Sequence, residues 1–103
     1  MFDREIVWTV GGSNPMTGEY RGWRDVVQLL RRTTRETDGT YRSELRWALA
    51  DDDRGVALYR ATGLRNGSTG DVEIVLLCGF RDGRIREATA VPVDMAAFDA
   101  FWS

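Results

Sequence analysis

The chain has no histidine and only one cysteine, Cys78. Without an imidazole there can be no Ser-His-Asp triad, no Cys-His nucleophile pair and no His-ligated zinc site. A lone cysteine cannot form an intrachain disulfide. Cys78 lies in an apolar, strand-like run, where a thiol packs as a small hydrophobe; a reactive thiolate needs a cationic neighbour and exposure. No apolar run approaches the roughly 18 residues needed to span a membrane. The opening MFDREIVW is acidic and strand-prone with no signal-peptide pattern, so the expected location is cytoplasmic. Long basic runs are missing too: 14 basic against 16 acidic residues leave a formal net charge of −2, which speaks against a nucleic-acid partner. Gly11-Gly12 lacks the lysine and helix start of a phosphate loop. No metal or other cofactor is implied.

What is present reads as one domain over residues 1–103. With 43% hydrophobic and 29% charged residues, the composition is that of a folded globular chain, not a disordered one. A domain of this size buries only about 60–70% of its unfolded surface, so dimerisation would help it. The densest charge run, Asp51-Asp52-Asp53-Arg54, reads as a solvated turn, with a metal loop as the lesser alternative.

Periodicity places the elements. Residues 4–10 are strand-prone and end at Gly11-Gly12; Ser13 to Gly18 is a turn-rich loop, and 19–21 a short strand. Apolar positions 23, 26, 27 and 30 recur at helical spacing, arginines fill the last turns, and Asp38-Gly39 gives a left-handed stop. Beyond it, 40–50, 55–64, 71–81 and 84–93 alternate as strands. They are joined at Asp52-Asp53, by a floppy loop over 66–70, and by Asp82-Gly83. Asp94 can cap a short helix from Met95 to Trp102. The expected fold is α+β: a curved antiparallel sheet, one main helix and a short C-terminal helix.

The hairpins predict which residues share a face. A turn at 52–53 pairs 47 with 58, and the loop at 66–70 pairs 60 with 76. The turn at 82–83 pairs 78 with 87 and 76 with 89. One face then carries Trp47, Leu58, Arg60, Thr62, Leu76, Glu87, Thr89 and Val91 in an apolar field. The other carries Arg46, Ala57, Tyr59, Ala61, Val75, Leu77, Ala88 and Ala90, a small and aromatic surface suited to meeting a second sheet from another subunit.

Several segments carry a family resemblance. They are Val7-Trp8-Thr9-Val10-Gly11, Pro15 to Gly22, Thr37-Asp38-Gly39-Thr40-Tyr41, Ala50 to Asp53, Val56 to Ala61, Asp82-Gly83-Arg84-Ile85, and Asp94 with Ala97 to Trp102. In order and spacing they resemble the SnoaL-like polyketide cyclases of the nuclear-transport-factor-2-like superfamily, whose fold is a cystatin-like cone. The resemblance implies a concave sheet face lining an apolar pocket closed by helices, often in a homodimer that meets through the convex face. It also implies a further helix ahead of the first strand, so the lid is expected to be incomplete here and a ketosteroid-isomerase tyrosine missing. The isomerase base falls at Thr9, which cannot act as a carboxylate. Arg60 matches the arginine of limonene epoxide hydrolases, but the two aspartate positions fall at Thr62 and Val91. Both chemistries are therefore disfavoured.

The site residues expected on these grounds are Asp94 and Glu87 as acid/base groups. Asp94 has helix capping as its competing role, and Glu87 has pairing with Arg60. The ligand-binding set is Trp8, Trp47, Leu58, Arg60, Thr62, Leu76, Thr89 and Val91. The function expected is binding of a small apolar ring- or carbonyl-containing molecule, with cyclase, isomerase or dehydratase chemistry where a carboxylate reaches it. The alternative is a non-catalytic dimerisation or protein-binding module of the same fold.

Overall fold

The computed structural model describes residues 2–103. Its elements are β1 (Phe2–Val10), β2 (Gly18–Arg21), α1 (Trp23–Glu36), β3 (Arg42–Ala50), β4 (Arg54–Arg65), β5 (Ser68–Arg81), β6 (Arg84–Pro92) and α2 (Met95–Trp102). The strands form one curved six-stranded sheet in the order β2-β1-β6-β5-β4-β3. Every neighbouring pair is antiparallel except β1 and β6, which run parallel. Among the described residues no helix is long and apolar enough to cross a membrane.

Local chemistry explains the helices. Gly22, at φ 84°, takes a left-handed turn at the N-cap of α1. The helix packs on β1 and β2 and buries Val26 and Leu29. Trp23 and Leu30 stay 44% and 40% exposed, so the buried stripe is narrower than the apolar spacing predicts, because only the edge of the sheet meets this helix. Thr37 is fully buried: its hydroxyl donates to the Thr33 carbonyl at 2.8 Å and accepts from the Tyr41 amide at 3.1 Å. Asp38 and Gly39 then adopt positive φ, and the Gly39 amide bonds back to Thr34, which is the expected left-handed stop. The core gathers where β1 and β5 meet both helices, around Ile6, Trp8, Val26, Ile74, Phe98 and Trp102.

The hairpins correct the expected face map at three points. First, Asn66 and Gly67, at φ 52° and 79°, make a two-residue turn that pairs Arg65 with Ser68. This left-handed pair suits the twist of the flanking strands. Arg60 therefore faces Glu73, not Leu76, and the odd shift turns β4 over. Second, β3 bulges between Leu45 and Trp47. Trp47 pairs with Leu58 as expected, but Leu45 meets Tyr59. Third, β5 and β6 bulge beside Gly79. Phe80 pairs with Ile85 as expected, after which Cys78 meets Ala88 and Leu76 meets Ala90. A Cβ at Gly79 would lie 2.8 Å from the Glu87 carboxylate, so any other residue there would push that side chain aside.

Buried Ala61, Ile74 and Ala88 mark the concave side. By register, Tyr59, Ala61, Ala88 and Ala90 belong there beside Leu76. Trp47, Leu58, Arg60, Thr62, Glu87, Thr89 and Val91 belong to the outer face.

Candidate functional site

A cavity of about 50 Å³ lies between the concave sheet face and the two helices. Trp8, Tyr59 and Ile74 form its sheet wall, Leu29 and Thr33 its α1 wall, and Phe98 and Trp102 its α2 wall. These positions follow from the folding logic above: alternate residues of β1 and β5 point inward, and α2 is started by Asp94, whose carboxylate accepts from the Ala97 amide at 3.0 Å. The helix is also tied to the β1–β2 loop. Asp99 accepts from the Ser13 amide at 2.8 Å and from the Asn14 side chain at 2.7 Å.

The polar side-chain groups among the lining residues are the hydroxyls of Thr33, Tyr41 and Tyr59 and the indole N–H groups of Trp8 and Trp102. Burial pushes the Tyr59 phenol well above its usual range, with Tyr41 and Cys78 nearby adding to the shift and no hydrogen bond offsetting it. Burial also raises Tyr41, opposed by a hydrogen bond with Ser43. Both phenols therefore remain protonated donors at neutral pH. Among the described residues no carboxylate and no arginine lines the cavity. Such a lining offers apolar aromatic walls and phenolic donors for an acceptor oxygen.

Of the residues expected from the sequence, Trp8 lines the cavity and Leu76 packs beside the core on the same face. The rest are elsewhere. Arg60 lies on the outer face, where its Nε donates to Asp71 at 2.8 Å, and that carboxylate is the first cause of its raised pKa. Among the described residues it makes no bond to Glu87, which folds over Gly79 on the outer face. Leu58, Thr62, Thr89 and Val91 share that face, and Trp47 is 46% exposed on it. Asp94 stands at the start of α2 as its cap. Replacing it with alanine is expected to lower stability by about 1 kcal/mol, read as a drop of roughly 4–8 °C in thermal midpoint. Sequence reasoning missed Tyr59 and Tyr41. Reading Asn66-Gly67 as a two-residue turn would have turned Tyr59 inward.

Similar proteins agree with this architecture. Over 103 residues the chain is 30% identical to the uncharacterized proteins Rv0034 of Mycobacterium tuberculosis (strain ATCC 25618 / H37Rv) and Mb0035 of Mycobacterium bovis (strain ATCC BAA-935 / AF2122/97); each alignment covers 99% of this chain and 79% of the relative. Bal32a, from a soil-derived mobile gene cassette, superposes with a TM-score of 0.95 at 29% identity, over 99% of this chain and 79% of that one. A cystatin-like protein of unknown function from Xanthomonas campestris gives 0.88 at 26%, over 99% and 80%. Residues 1–88 match the SnoaL-like domain family. The curved sheet, its two helices and this match together make the chain a member of the SnoaL-like domain family.

Proposed function

We propose that this chain is a small-molecule-binding domain that takes a neutral, planar, ring-containing ligand with one acceptor oxygen into the concave-face cavity. The observation that carries this reading is the Tyr59 phenol, a half-buried donor whose raised pKa no hydrogen bond offsets, set in an apolar aromatic wall. A ligand oxygen there would take up the hydrogen-bonding capacity of this phenol away from bulk water. Because the lining holds no carboxylate among the described residues, binding without acid–base turnover is the form of function this cavity supports.

The test uses 2-naphthol, a neutral two-ring probe with a single oxygen, titrated by its fluorescence. Tyr59→Phe keeps the ring and removes the donor, and is expected to weaken binding about 3–10-fold, the worth of one hydrogen bond. Binding should be flat from about pH 5 to about pH 8, because a phenol whose pKa is raised stays protonated across that window. A step in that window, or equal affinity for both proteins, contradicts the role of Tyr59.

A second feature supports a homodimer through the outer face. Two apolar rows cross it: Trp47–Leu58–Val75–Val91, and beside it Leu49–Val56–Leu77, running on to Thr89. Leu49 is 69% and Leu77 48% exposed. A charged row, Glu44–Arg60–Glu73, borders them on one side, and Arg54 and Glu87 on the other. An apolar strip with charged borders is the anatomy of an interface core and rim.

A further inference from the structure

We infer that α2 is a displaceable wall of the cavity and that Arg65 is the latch holding it shut; this rests on the cavity being the ligand site. A cavity of about 50 Å³ is too small for one aromatic ring, since benzene occupies an apolar cavity of about 150 Å³. A ring-containing ligand is therefore fully enclosed only if a wall moves. The sheet wall is fixed by its ladders. The 14-residue α1 packs on β1 and β2, whereas α2 has eight residues and is the shorter element.

The two ends of α2 are held differently. Its first turns are tied through the Asp94 cap and through Asp99 to Ser13 and Asn14. In its last turn Trp102 packs into the core against Tyr41, and the backbone carbonyls are bonded by one side chain from the end of β4. Arg65 Nη1 donates to the Phe101 carbonyl at 3.1 Å and the Ser103 carbonyl at 2.6 Å. Its Nη2 donates to Glu36 at the end of α1, at 3.2 Å, and the guanidinium lies 6.0 Å from the Trp102 ring. One residue thus joins β4, α1 and the cavity wall. A planar guanidinium presents five donors in a rigid fork, which suits serving these acceptors together.

Two further observations describe a fastening made to open. Gly63 and Gly70 face each other across β4 and β5, and the Phe101 ring lies where a Cβ on Gly70 would be. The ring therefore rests on the bare backbone of Gly70, with the Thr37 side chain beside it over Gly63. Arg65 Nε is buried with no partner. Opening would hydrate this orphan donor, which offsets part of the cost of releasing the other contacts. The geometry makes Asp94 and Asp99 the pivot and the Phe101–Trp102 end the moving edge.

Hydrogen exchange on the full chain tests the latch. Arg65→Met is expected to lower protection of the amides of residues 98–102 by about tenfold, as local opening would, while β5 and β6 keep theirs. Glu36→Gln weakens a single contact and should give the same pattern at about two- to threefold, so the test survives if Arg65→Met does not fold. Unchanged exchange in α2, or an equal loss across β5 and β6, overturns the inference. In the latch-open variant 2-naphthol should also associate faster. If α2 alone loses protection and 2-naphthol binds neither protein, the latch stands and the proposed ligand site falls.

Discussion

Trp47→Asp is expected to weaken the proposed homodimer, raising its dissociation constant at least about 100-fold. Trp47 begins the apolar row that continues through Leu58, Val75 and Val91. In the isolated chain it is 46% exposed, so the fold alone leaves much of its ring in water. Tryptophans are among the residues most often found as interface hot spots, worth about 2 kcal/mol or more on truncation. Aspartate adds the cost of burying a charge against an apolar partner surface. Two-fold symmetry would place the same residue on both sides, so one substitution acts twice. Sedimentation equilibrium reads the association, and far-UV circular dichroism should show the folded spectrum retained. A parent that sediments as a monomer at every concentration, or a variant that still dimerises as the parent does, would remove the outer face from the account.

The second large effect is on stability. Trp8→Ala is expected to cost about 3–5 kcal/mol, in the range for deleting a large aromatic from a core. Trp8 is only 9% exposed. Its ring meets Phe2 edge-on at 6.0 Å, and its strand is hydrogen-bonded on both sides, to β2 and β6, so the backbone cannot collapse into the space left. A domain of this size has a total stability of about 5–15 kcal/mol, so the variant should be close to unfolding at ordinary temperature. Trp23→Ala supplies the contrast. That side chain is exposed on α1, stacked only by Arg24, and its loss should cost no more than about 0.5 kcal/mol. Urea unfolding of both variants checks the pair. Equal costs would mean that the concave core is not centred on β1.

Much of this molecule can be read from its residues, and the part that cannot has a definite physical origin. The positions of α1, the four long strands and α2 follow from periodicity and from Asp38-Gly39, Asp82-Gly83 and the Asp94 cap, each a local signal acting on local backbone. Which face a strand shows is a different kind of property, because a slip of one residue reverses every side chain. Arg46 in its bulge has no local signature that distinguishes it from its neighbours. Gly79 has one only once Glu87 is known to lie over it. Asn66-Gly67 was legible as a tight left-handed turn; treating it as part of a longer loop moved Arg60 into the pocket and Tyr59 out of it. The candidate site changes character as a result. A charged arrangement around Arg60 and Glu87 gives way to an aromatic one with phenolic donors, while Trp8 keeps its expected place.

The central claim, that ligand enters the concave cavity against Tyr59, can be tested with the chain's four tryptophans. Trp8 and Trp102 line the cavity, whereas Trp23 and Trp47 are exposed elsewhere. Their indole N–H groups give separate signals in a nitrogen–proton correlation spectrum of the intact chain titrated with 2-naphthol. The account predicts that the Trp8 and Trp102 signals move together and saturate, while those of Trp23 and Trp47 stay in place. Movement of Trp47 alone, or of none of the four, would contradict it.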